Sequence, residues 1–392
     1  MDLDRRHLLA GGLAALGQPG TAAADEGSPA PGGRAVAGRT AGAMELALAV
    51  HAPSSPTGLA ISKRGRVFVM MPRFTGTEPI TLGEAFPDGS VRAYPDAASN
   101  RPDPGRPQAS LFHVPNGVLA PDDTLWLLDA GIPEGKGAPV PGGAKLVQVD
   151  LATDHIRRVI PLEAGITPTS SLNDLRVAGP ADRQRAYITD QGQGEDGAIL
   201  AVDLVTGQVA RRLAEHASTK SQKGMVKFVE QRPVMQTRGE GPPQFPKGGA
   251  NGIALSPDGD RLYYAPLMSR RLYAVETAGL LDPKVTDAEV AASVRDLGEK
   301  GLTGGLIADS KDRVYLSLQE HNAVGRRDPD GTITVIASDP RLIWADTFWI
   351  TPDRWLYVSA SQVNRRPEFN HGRDLTEPPY AILRVRIDAD PA

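Results

Sequence analysis

Six small or polar residues hold equivalent places in six repeated segments: Thr57, Asn116, Asn173, Asn251, Gly304 and Asp346. Each stands just before a short apolar run. Asparagine amides both donate and accept hydrogen bonds, and a carboxylate accepts them or takes up a proton. Gathered in one place, such side chains suit a small polar ligand. Asp346, with Asp174 beside Asn173, supplies the negative charge, so a neutral or cationic ligand is favoured over an anion. Asparagine and aspartate are also ordinary turn formers, which explains any single copy but not their shared register. The candidate ligand-binding residues are Asn116, Asn173, Asp174, Asn251 and Asp346. His113, just ahead of Asn116, and the pair Glu320-His321, a carboxylate beside an imidazole, are second candidates.

The elements that must carry this column are clearest in Asn251–Tyr264. Ile253, Ala254 and Leu255 form a strand, Ser256-Pro257-Asp258-Gly259 a turn, and Leu262, Tyr263 and Tyr264 a second strand. The unit recurs at 57–69, 116–127, 173–188, 304–316 and 346–358, about 40 to 80 residues apart. One unit cannot bury its own apolar face, so the copies must pack on each other. Outer hairpins follow, among them 145–159 and 198–212. The expected fold is all-β, a six-bladed β-propeller of four-stranded blades around an axis. In that fold the first strand of each blade is innermost, so the column rings one mouth of the channel. A strand near Leu46–Val50 is expected to complete the last blade beside Tyr380–Ile387, because a bare sheet edge invites aggregation. Thr286-Asp287-Ala288-Glu289 is a capping box opening a short helix. Residues 216–247 form the longest irregular stretch, either a lid over one face or a solvated loop. The basic run Lys220 to Lys227 within it reads as a solvated face.

Composition bounds the function. The chain has 392 residues, a net charge of -4 with interspersed signs, 42 glycines, 34 prolines and no cysteine. The charge gives no reason to expect nucleic acid or an anionic membrane as partner. The lack of cysteine removes disulfides, thiolate metal sites and a cysteine nucleophile. Asp4-Arg5-Arg6-His7 before a short apolar run, with Ala22-Ala23-Ala24 behind it, reads as a twin-arginine signal over 1–24. A Gly/Ala/Pro-rich linker over 25–43 precedes the propeller at 44–392. The expected location is periplasmic or secreted.

Several segments resemble the yellow/major royal jelly protein family in its bacterial exported form. They are Ser171–Leu175 with Ala186–Asp190, Asn251–Gly259 with Leu262–Leu267, Glu320–Val324, and Asp339–Trp344 with Asp346. The resemblance covers about 45–388 and implies a six-bladed propeller, some of whose members bind small molecules. More distantly, the chain is similar to the gluconolactonase and senescence-marker propellers, in which a glutamate, two asparagines and an aspartate hold a divalent metal at the mouth. That resemblance places Asn173 and Asn251 where the asparagines stand, Thr57 where the glutamate stands, and Gly304 where the aspartate stands. Calcium takes much of its affinity from carboxylate charge, and glycine cannot serve as a base. No metal or other cofactor is therefore expected. Gly304-Gly305 is read instead as a gap that a ligand enters, with Trp344, Phe348 and Trp349 nearby.

The leading expectation is an exported propeller that binds a small polar or aromatic metabolite at the channel mouth. A metal-dependent lactonase-like hydrolase or a tautomerase is one alternative, and a protein-interaction scaffold is another. The export reading predicts that changing Arg5 and Arg6 together to lysine holds a reporter fusion in the cytoplasm. A periplasmic signal undiminished by that change overturns it.

Overall fold

The computed structural model describes residues 42–237 and 241–392; the export segment and nearly all of the linker lie outside them. Six four-stranded antiparallel sheets are present among the described residues. Their inner strands are Gly58–Ile61, Asn116–Leu119, Leu172–Ala178, Ala250–Leu255, Thr303–Ala308 and Ala345–Ile350. Each inner strand contacts the next, and the last contacts the first. The result is a closed six-bladed propeller, numbered here as blades 1 to 6 in that order.

The repeated turn explains how each blade starts. The residue closing the first turn has positive φ in five blades: Gly65, Asp123, Gly259, Asp312 and Arg354. Glycine takes that conformation freely, and aspartate tolerates it because its short side chain bonds locally. Arg354 is held there by a bidentate pair with Asp390, at 2.8 and 3.2 Å.

Closure follows the expected route. Glu45–Val50 is the outermost strand of blade 6, pairing antiparallel with Tyr380–Arg386 from Glu45↔Arg384 to Val50↔Tyr380. Val50 is fully buried and joins Ile382 from blade 6 to Leu59, Val69 and Met71 from blade 1. The first and last described strands thus meet in one sheet, and its side chains seal the junction with the first blade. The helix Asp287–Ala292 carries the expected capping box on Thr286 and Glu289.

The closing strand sets a stability test. Deleting residues 1–41 leaves the melting temperature within about 2 °C, whereas deleting 1–50 bares an edge, opens a core cluster and lowers it by at least ~5 °C. Equal melting temperatures for the two truncations would show that the strand does not close the ring.

Candidate functional site

The inner strands of blades 3 to 6 share one irregularity. Their register slips between Leu172 and Leu175, Ala250 and Gly252, Thr303 and Leu306, and Ala345 and Phe348. These β-bulges fall on the sequence column. A bulge adds one residue to one strand and re-aims its side chains, so blade 3 can offer both Asn173 and Asp174. In three blades a hydroxyl from the second strand satisfies the freed backbone. Thr189 Oγ1 accepts from Asp174 N (3.0 Å), Ser317 Oγ from Gly304 N and Gly305 N (3.0 and 2.9 Å), and Ser359 Oγ from Thr347 N (3.2 Å). Sequence reading missed these hydroxyls. Their signal is a Ser or Thr near the end of an otherwise apolar second strand.

A cavity of about 950 Å³ opens at this end of the channel. Thr57, His113, Asn173, Asn251, Gly304 and Asp346 all line it. Asn251 Nδ2 donates to Gln191 Oε1 (2.9 Å). His113 Nδ1 donates to the Arg73 carbonyl (2.9 Å), and burial lowers its pKa, favouring the neutral ring. Asn116 and Asp174 are not among the lining residues. Asn116 is 0 % exposed, and its Nδ2 donates to Asp174 Oδ1 (2.6 Å) and Thr347 Oγ1 (3.3 Å). Its carbonyl oxygen is buried without a partner.

Two of the second candidates go elsewhere. Glu320 Oε2 pairs with Arg270 Nη2 (2.7 Å), and Oε1 accepts from Phe228 N (3.4 Å). His321 is exposed, and neither residue lines the cavity. Gly304 does not leave a gap either. A Cβ there would lie 2.6 Å from Gln319 Nε2, so Gln319 already fills that sector. Of the neighbouring aromatics, Phe348 packs into the blade 6 core. Trp349 packs against three separate core clusters, and Trp344 lines the cavity.

Gln319 is held by an unforeseen residue. Lys227, expected on a solvated face, is 0 % exposed. Its Nζ donates to Gln319 Oε1 (2.7 Å) and sits 4.5 Å from the centroid of the Trp344 ring. Burial lowers its pKa to about 7, against the opposing pull of Asp346 and Glu320. Lys227 belongs to the 216–247 stretch, whose described residues form a strap docked over the mouth. Val229 and Val234 pack on Trp344 and Val363. Glu230 grips Arg365 at 2.6 and 3.0 Å. Thr237 N donates to the Glu368 carbonyl (2.8 Å), joining the strap to the blade 6 loop. Trp344 has positive φ, a strained state for a bulky residue that costs on the order of 1–3 kcal/mol. Ser361 holds it by donating from N and Oγ to its carbonyl (3.2 and 3.0 Å).

The carboxylates are strongly perturbed. Burial lifts Asp174 to about 6, moderated by Arg176 and Asn116. Burial and then the Asp174 charge lift Asp346 to about 8, against the pull of Ser361 and Lys227. At neutral pH Asp346 therefore keeps its proton and Asp174 has mostly lost its own. A pair whose environments separate their proton affinities can act as donor and acceptor. Among the described residues, no three of His, Asp and Glu are grouped as a metal site would require.

A six-bladed propeller with a polar pocket at one mouth defines the class of protein. More particularly, the chain belongs to the major royal jelly protein family, whose profile matches residues 121–388. No curated protein matches it by sequence. Among solved structures it is similar to a calcium-binding protein, regucalcin, from Agrobacterium tumefaciens, with a TM-score of 0.53 and 18% identity, covering 90% of this chain and 98% of that one. It is similar also to a gluconolactonase from Xanthomonas campestris, with a TM-score of 0.52 and 14% identity over 88% and 90% of the chains. A luciferin-regenerating enzyme gives 0.54 and 12% identity over 89% and 97%. At these identities the likeness is one of fold.

Asp346 yields a pH prediction. Its folded pKa is near 8 against 3.8 for a free side chain, so its contribution to stability is full below pH 4 and lost as pH rises through 8. Asp346→Asn mimics the protonated form and escapes that loss. In urea unfolding, the stability advantage of the variant over the wild type grows by roughly 1–4 kcal/mol between pH 5 and pH 8. An advantage that does not change with pH overturns the assignment.

Proposed function

We propose that this protein binds a small polar or aromatic metabolite in the cavity at the channel mouth, as an exported member of its family. One observation carries the reading. Residues from all six blades converge on one cavity, with the Asn173 side chain making no hydrogen bond among the described residues and Asp346 at the wall. A concave site with few polar groups among apolar walls is the usual form of a small-molecule site. Phe74, Trp344 and Phe369 supply those walls, and the strap with the blade 6 loop forms the roof.

A second reading rests on the carboxylates. A protonated Asp346 at the wall could give a bound ligand a proton and take one back, as a tautomerase does, with Asp174 behind the wall raising its proton affinity. The metal-dependent hydrolase has less support, since Thr57 and Gly304 bring no carboxylate to the mouth.

Thermal shift tests the binding reading. A panel of phenols, aromatic amines and neutral sugars at millimolar concentration is added to the wild type and to Asn173→Trp, which fills the cavity. At least one class raises the wild-type melting temperature, because a ligand that binds only the folded state stabilises it by mass action, and the rise is lost in the variant. No shift with any class, or a shift that survives in Asn173→Trp, overturns the reading.

A further inference from the structure

We infer that the ligand is a neutral oligosaccharide or glycoside, held by side-chain amides and hydroxyls between aromatic faces. This rests on the cavity being the binding site, and the chemistry of its wall carries it further. Deep in the cavity the side chains are Thr57, His113, Asn173, Asn251 and Asp346. Thr57 Oγ1 donates to the Pro115 carbonyl (3.3 Å), leaving its lone pairs to accept. The Asn173 side chain makes no hydrogen bond among the described residues, so both ends of its amide are open to a ligand. Asn251 spends one N–H on Gln191 Oε1 and keeps its carbonyl oxygen. An amide that donates and accepts at once matches a pair of neighbouring hydroxyls, each of which also does both. Phe369 and the face of Phe74 that the Arg366 guanidinium does not cover, both half-buried among the lining residues, present apolar ring surface to the C–H faces of a sugar.

Most of the charges nearby are already engaged, the exposed Glu134 and Lys136 excepted. Lys247 at the rim pairs with Glu195 (2.9 Å), Glu368 with Arg366 (2.9 Å), and Lys227 is turned onto Gln319. Arg176, beneath the floor, spends its guanidinium on the Leu175 and Leu306 carbonyls (both 2.6 Å). Among the described lining residues an anionic ligand would find a free lysine only at the exposed Lys136, not among the buried groups. A cationic ligand would have to ionise Asp346, whose burial and neighbour Asp174 oppose the charge. A neutral ligand pays neither cost, and a protonated carboxyl adds one more donor. The volume, about 950 Å³, lies at the top of the ~300–1,000 Å³ range of small-molecule sites and leaves room for more than one sugar ring.

Calorimetry decides it, using maltotriose, cellotriose and mannotriose as neutral probes, glucuronate as an anion and tyramine as an amine. The expected result is binding of at least one trisaccharide with an affinity that is flat between pH 5.5 and 7.5. That affinity falls at least tenfold in Asn173→Ala and in Asn251→Ala. Asn173 has no partner to lose, so its variant keeps the wild-type melting temperature and separates lost binding from lost folding. Binding of tyramine alone, strengthening as pH rises and Asp346 ionises, overturns the carbohydrate class and leaves the small-molecule reading standing. Binding of glucuronate alone does the same. Failure of every probe here, together with no hit in the thermal-shift panel, removes both.

Discussion

The pairing of Glu45–Val50 with Tyr380–Arg386 is the constraint on which the rest of the molecule depends. A propeller is a ring of sheets that each bury a face on the next, so an unclosed ring leaves one face and one edge bare. Here the first and last described strands share a sheet, and Val50 carries the seal into blade 1. The chain has no cysteine to staple that junction. Apolar burial and strand hydrogen bonds hold it alone. Because the inner strands are fixed by this closure, side chains more than 200 residues apart in sequence come into contact, as Asn116 and Thr347 do.

Closure brings the strand starts together, and the bulges aim them. In blades 3, 5 and 6 an inner strand breaks register where a second-strand hydroxyl takes over the backbone hydrogen bond. This substitution turns a turn-forming column into a lined mouth, because the bulged residue can face the channel without leaving a buried N–H unsatisfied. The site nonetheless retains costly features. Asn116 keeps a buried carbonyl oxygen without a partner, Trp344 holds a strained backbone, and Asp174 and Lys227 sit out of water. Stability alone would select apolar residues at such places. Their concentration at one mouth is the physical case for a functional site there.

The strap ties that chemistry to the loops. Lys227 reaches Gln319, Gln319 Nε2 donates to the Ala345 carbonyl (2.9 Å), and Asp346 is the next residue. A segment inserted between blades 3 and 4 thereby fixes the part of the pocket wall that belongs to blades 5 and 6. The protonation of Asp346 is thus set partly by a residue far from it in sequence.

Local sequence was enough for the repeat, the strand order, the closing strand and six residues that line the cavity, Thr57, His113, Asn173, Asn251, Gly304 and Asp346. These are written locally, in turn chemistry, apolar runs and one polar position per unit. It could not separate Asn116 and Asp174, one layer behind the wall, from Asn173, because a bulge shifts facing by one residue and leaves no mark in composition. It could not place Glu320, whose partner Arg270 lies in another blade. Nor could it find Lys227, a lysine in a basic loop whose burial depends on packing against Trp344. Which side chains lose water, and therefore which hold or lose a proton, is decided by contacts distant in sequence, and only the tertiary structure makes them.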